Sequence, residues 1–294
     1  MMTTMMQISA EPTTIYSVSR GLLQDWLLGT NEGLWRLFEG ELTQVADRLT
    51  GVHITTAVHT TRGVFVGAAD GIARSRDGQA WEAMKLPEGA PPIMQLCITK
   101  AFRTIGIAFA TTLDKGLLRT MDAGQTWTPC NLGLTDLAVV ALAASPAFQE
   151  DYNIFAAFEG GAYRGYKAGS QWERLGLPDE VLPTTSIALT MRSIFVGTAS
   201  GLWRSDDGAT WEAIPEFADA PVLSLASSSE STWLAIAVPG RVARSNDHGQ
   251  TLEWFDGLPE GMLSIAIGDD GEIIVGLLEQ GLWHVAASES VLSR

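Results

Sequence analysis

The sequence predicts an all-β fold, a seven-bladed β-propeller of four-stranded antiparallel blades. Three observations lead there: a seven-fold internal repeat, a strand-like apolar pattern inside each repeat, and one turn motif that returns at the same place in the repeat.

The repeat is read by aligning on a Gly-led run that ends in a basic residue. "GLWRLF" at 33 is followed by "GIARSRDGQAW" at 71, "GLLRTMDAGQTW" at 116 and "GAYRGYKAGSQW" at 161. "GLWRSDDGATW" at 201, "GRVARSNDHGQTLEW" at 240 and "GLWHVA" at 281 complete the set. The aligned basic positions are Arg36, Arg74, Arg119, Arg164, Arg204, Arg244 and His284, spaced by 38, 45, 45, 40, 40 and 40 residues. Seven units of about 42 residues fall in the range of propeller blades. They account for residues 1–294 as one domain, with no linker between them.

Each unit reads as strands. In residues 185–215, "TSIALT", "RSIFVGTAS", "GLWRSDD" and "TWEAIP" are short apolar or β-branched runs bounded by Gly, Ser, Asp or Thr. No ten-residue stretch sustains a 3.6 period, so helix is expected to be almost absent. The blades begin near residue 14. The last unit, "MLSIAIGDDGEIIVGLLEQGLWHVAAS", has three strands and no turn motif. Its outer strand must come from "MMQISAE" at 5–11 or from the tail "SVLSR". The N-terminal segment is favoured, because closing the ring removes exposed sheet edges.

The turn motif lies between the third and fourth strands: Ser or Thr, any residue, Asp, then Gly directly or one position later, and Trp at the start of the outer strand. Its members are Asp77, Gly78 and Trp81; Asp122, Gly124 and Trp127; Asp207, Gly208 and Trp211; and Asp247, Gly249 and the displaced Trp254. The aspartate is suited to accept backbone N–H bonds within the turn, glycine to supply positive φ, and tryptophan to pack on the next blade. In the fourth unit Lys167 stands near the aspartate position beside Trp172, so that turn has to be held another way. A metal at each turn is disfavoured, since one carboxylate falls far short of the 6–8 oxygens that calcium takes.

This Ser-x-Asp, Gly, Thr-Trp pattern resembles the Asp-box, or BNR, repeat of propellers that include sialidase-like, sortilin-like and photosystem-assembly-factor-like members. "SPAFQEDYNIFAAF" at 145–158 is similar to a run found in many bacterial members. The resemblance covers the whole chain and implies a propeller whose boxes are structural. It leaves the activity open, because function varies on one fold.

Composition narrows the classes. Hydrophobic residues make up 46% and charged residues 18% of the 294, enough for a buried core. The net charge of −15 argues against nucleic acid or an anionic membrane as partner, since both need clustered cations. Two cysteines, no basic-then-apolar N-terminus and no apolar run of membrane length give the expectation of a cytoplasmic protein. The oligomeric state is not legible.

No catalytic constellation emerges, and neither cofactor nor metal is expected. His53, His59, His248 and His284 are scattered, Cys97 lies in an apolar inner strand, and no phosphate-binding loop or nucleophile elbow appears. A glycosidase needs two opposed carboxyls, or a tyrosine nucleophile with an acid. The Arg-Ile-Pro run of sialidases is missing, and Tyr163 and Tyr166 fall on or beside the third strand, away from the channel. The recurring arginine reads as an inter-blade bond, since repetition in nearly every blade suits scaffolding.

What remains is a face. Loops after strands two and four share one end of the propeller and carry Glu32, Asp70, Asp114, Glu159, Asp179, Glu180, Asp219 and Glu279, with Asp47, Glu88, Asp136, Glu216, Asp256 and Glu260. Against these stand Arg48, Lys85, Lys115 and Arg241. The box end is more balanced, with Arg20, Arg62, Arg76, Lys100, Arg103, Lys167 and Arg192. The expected function is a non-catalytic interaction scaffold whose acidic loop face meets a protein with a basic surface. Leu177, Pro178, Val181 and Leu182 are its expected apolar centre. The alternative is a carbohydrate-active hydrolase, sialidase-like or xyloglucanase-like, or a glycan-binding lectin.

Overall fold

The computed structural model describes residues 6–9, 13–21, 25–45, 49–228, 230 and 232–286. Seven antiparallel four-stranded sheets stand in a ring around a channel, making a seven-bladed β-propeller. The innermost strands of blades 1–7 are Ile15–Arg20, Ile54–Thr60, Ile93–Ile98, Val139–Ala144, Thr184–Leu189, Ser224–Ser227 and Met262–Ile267.

The second strand of each blade explains where the core sits. Ile154–Phe158 and Ile194–Thr198 are buried at every position, because both faces are covered by neighbouring blades. Alternation then sorts the side chains: Ile154, Ala156 and Phe158 join the cluster toward blade 3, while Phe155 and Ala157 join the one toward blade 5. One apolar cluster fills each seam between adjacent blades. The core is thus a ring of seams, as expected for units that touch only their neighbours.

The ring closes as expected from the sequence. Met6–Ser9 pairs antiparallel with Leu282–Val285 and supplies the outer strand of blade 7, with Met6 opposite His284. The tail "SVLSR" lies outside the described residues.

The expectation of almost no helix holds, with two short α-helical turns as its exceptions. Phe102–Ile105 and Phe148–Asp151 are single helical turns between the first two strands of blades 3 and 4. Each drives a buried phenylalanine into a seam, Phe102 edge-on to Phe65 and Phe148 edge-on to Phe109. Four residues are too few to register a helical period, so no pattern announced them.

Candidate functional site

The box turns are closed by short bonds of one kind. Asp207 Oδ1 accepts from the Ala209 and Thr210 amides at 2.7 and 2.8 Å, and Ser205 Oγ accepts from the Gly208 amide at 2.8 Å. The Thr210 and Ala209 bonds hold its carboxyl below the usual carboxylate range. Asp77 repeats the arrangement with Gln79 and Ala80, and the longer boxes of Asp122 and Asp247 bond both the amide and the hydroxyl of Thr126 and Thr251. Those longer boxes need two residues at positive φ, Ala123 with Gly124 and His248 with Gly249. At Gly124 the neighbouring blade also forbids a side chain, because a Cβ would stand 2.5 Å from the ring of Phe65.

Tryptophans from the boxes plug the seams. Trp127 and Trp172 are buried, with Nε1 donating to the carbonyls of Gly124 and Cys130. Trp81, Trp211 and Trp254 are half-buried. In the fourth blade, where Lys167 and Ala168 both take positive φ, the turn is held by the Ala168 amide donating to Tyr152 O. Ser170 donates from Oγ to Lys167 O, and Arg119 of blade 3 donates to Ala168 O at 2.6 Å.

That arginine belongs to a series. Arg164 donates to Asp207 O, Arg204 to His248 O and Arg244 to Gly271 O, each crossing one seam. Arg36 and Arg74 turn to acids of their own blades, Asp25 and Glu82. In blade 7 the position is His284, whose Nε2 lies 2.9 Å from Glu272 Oε1. Glu272 in turn accepts from Arg20 and from Trp26 Nε1 of blade 1, across the closing seam.

A channel of about 770 Å³ runs down the axis, lined by the innermost strands. Small residues such as Ser19, Ala57, Ala143, Ala188 and Ala226 line it, and Arg20 and Lys100 stand among the lining at its box end. Among the described lining residues Glu159, at the opposite end, is the one carboxylate.

At that opposite mouth the inner strands share an irregularity. Pairing with the second strand skips one residue near the start, and the skipped residues are Tyr16, Thr55, Met94, Val140, Thr185 and Leu263. Leu223 takes the same place in blade 6, one residue ahead of its strand. A bulge leaves a residue out of the ladder and re-aims its side chain. All seven line the channel, and they form a ring at its mouth. Met94, Val140, Leu223 and Leu263 are each about two-fifths exposed, and Leu113, Leu137 and Leu278 add exposed apolar surface in the adjoining loops. Thr55 and Thr185 spend their hydroxyls on the Ile93 and Val222 carbonyls of the next blade, both at 2.5 Å, so methyls complete the ring.

The acidic residues surround this mouth. Glu32, Asp70, Asp114, Glu159 and Glu279 follow second strands, while Asp179, Glu180 and Asp219 precede inner strands, and all eight are exposed. Of the cations counted at this end, Lys115 Nζ donates to Gly89 O and Arg241 lies 3.9 Å over the Trp254 ring. Lys85 instead runs along the outer edge, its backbone bonded to Gln125 and Trp127 of the next box. Asp47 and Arg48 lie outside the described residues.

The expected apolar centre is not available. Leu177 and Val181 are buried in the seam between blades 4 and 5, and Leu182 packs against them. The segment looked like a surface loop because it is bounded by prolines and carries two acids. A short helical turn at Asp179–Val181 folds its apolar residues inward. Asp179 and Glu180 stay exposed, with Asp179 bonded to Arg174 at 2.5 Å.

Burial pushes the Cys97 and Cys130 thiols up to about 12, which disfavours the thiolate at both, although half-buried Cys97 lies among the channel lining. Among the described residues no group of three or more His, Cys, Asp or Glu is placed to hold a metal ion. No helix among them is long and apolar enough to cross a membrane.

No protein-family profile matches the chain. No curated protein matches it either. Solved structures do. The extracellular domain of the one-component system BT4673 from B. thetaiotaomicron superposes with TM-score 0.74 at 15% identity, over 97% of this chain and 40% of that one. YCF48 bound to D1 peptide superposes with TM-score 0.71 at 17% identity, over 97% and 94% of the two chains. A catalytically inactive virginiamycin B lyase from Staphylococcus aureus with quinupristin gives 0.76 at 11% identity, over 97% and 98%. What is shared is the fold. A sensor domain, a peptide-bound propeller and a lyase stand on the same scaffold, so function has to be argued from the site.

Proposed function

We propose that the chain is an Asp-box (BNR-type) repeat propeller acting as a non-catalytic interaction or assembly module, which binds a protein partner with a basic surface through its acidic loop face. The single observation that carries this reading is the apolar ring at the channel mouth, set inside loops whose exposed charges are mostly negative. An interface wants an apolar, desolvated centre and a polar rim, and the two occur together at this end. YCF48, a propeller of the same architecture, has been seen with a peptide bound, which supports a protein ligand. A cytoplasmic location is part of the same proposal.

Two charge reversals test it, read by association with the partner captured from the native organism. Glu159→Lys with Asp114→Lys should slow association, and added salt should slow the unmodified protein in the same way. Arg62→Glu with Arg103→Glu at the box end should leave association unchanged. Loss of binding in the second variant alone would reverse the assignment of the faces.

A further inference from the structure

We infer that the occupant of the mouth is an extended stretch of polypeptide, two or more of whose apolar side chains seat on the bulge ring while flanking lysines or arginines meet the acidic rim. The inference rests on the acidic face being the binding end and adds the form of the ligand. Three observations carry it.

The first is the ring itself. Each of the seven blades places one residue in the ring: Met94, Val140, Leu223 and Leu263 are apolar and exposed, Tyr16 brings an aromatic ring with its hydroxyl, and the two threonines have hydroxyls already engaged. This surface is concave and closed around an axis, and its exposed apolar side chains suit inserted apolar groups rather than a flat ligand.

The second is space. The channel holds about 770 Å³ along inner strands of some six residues, a length of about 20 Å. Spread over that length, the volume corresponds to a mean bore of about 10 Å between wall surfaces, no wider than the 10–12 Å that a helix with its side chains spans. An extended chain is the narrower form that can enter.

The third is the charge along the axis. Glu159 lines the mouth, with Asp114 beside Leu113 and Glu279 beside Leu278 in the adjoining loops. At the far end Arg20 is paired with Glu272 and Asp270, and Lys100 lies 3.9 Å from Glu230, so the unbalanced charge is the acidic one at the rim. A basic ligand is attracted there, which makes apolar anchors with basic flanks the pattern recognised.

The test is selection of a display library of random linear ten-residue peptides on the immobilised full chain. Enriched peptides should pair aliphatic or aromatic residues with lysine or arginine and should bind more weakly as salt rises. They should lose about tenfold or more in affinity for Leu223→Asp with Leu263→Asp, a loss of the size that follows from spoiling an interface anchor. Val140→Asp, on the other side of the ring, should weaken them as well. Phe38→Asp with Met191→Asp, apolar and exposed at the box end, should not. Melting temperatures confirm that each variant is folded. No enrichment, acidic consensus sequences, or equal binding to the ring variants would overturn the inference. If enrichment fails while the natural partner is still lost from Glu159→Lys with Asp114→Lys, the partner docks as a folded surface and the acidic-face reading stands. If both fail, that reading falls too.

Discussion

Arg164 of blade 4 donates from Nη2 to the backbone carbonyl of Asp207 in blade 5, 2.8 Å away. The aspartate is therefore used twice: its carboxylate closes its own turn and its carbonyl ties that turn to the preceding blade. Blades 3, 5 and 6 make the corresponding tie to the blade that follows each. The two motifs that recur most plainly in the sequence are thus two halves of one seam fastening.

If the boxes are structural, removing their aspartates should lower stability and leave binding intact. Asp207→Ala should reduce the melting temperature by leaving the Ala209 and Thr210 amides without their acceptor. Asp122→Ala should cost about 1 kcal/mol, the scale of a turn clamp that remains partly solvated. Thermal melts, with binding measured well below the transition, check both. Loss of binding in a fully folded variant would place the box among functional residues.

Seam tryptophans should matter according to burial. Trp172 is buried and its Nε1 donates to Cys130 O at 2.7 Å, so Trp172→Ala should cost about 3–5 kcal/mol. Trp211 is half-buried and should cost less. Denaturant titrations of the two variants would expose the reverse order if the seams were not the source of stability.

Acid should open the closing seam. Burial pushes the Glu272 carboxyl up, but His284 and Arg20 outweigh it and the net direction is down from 4.5. A lowered carboxylate contributes stability that is present above its unfolded value and lost as pH falls through the folded one. The box aspartates shift in the same direction. Melting temperature should hold near neutral pH and drop below about pH 4.5, near the carboxyl's unfolded value. Glu272→Gln should melt lower at neutral pH and show a shallower drop. An unchanged profile in that variant would remove Glu272 from the account.

Glycoside hydrolysis should be absent. Two opposed carboxyls are required, and among the described residues lining the channel only Glu159 is acidic. Aryl sialosides and xyloglucan oligomers should release no product, with or without calcium. Turnover abolished by Glu159→Gln would promote the hydrolase alternative.

By itself the sequence determined the seven blades, the box turns, the recurring arginine and the N-terminal strand that closes the ring. Each is written in local signals: a period near 40 residues, Gly and Asp at fixed offsets, and a last unit lacking one strand. Tertiary structure decided which surface is apolar. Met94, Val140 and Leu263 sit in strand-like apolar runs, and the bulge that shifts register by one residue and exposes them leaves no mark in the alternation. Leu177 and Val181 look like exposed loop residues, yet a seam between two blades takes them in. Whether an apolar side chain ends in a core or at a mouth depends on how neighbouring blades meet, and that is set by packing between units some 40 residues apart, not by the pattern within one.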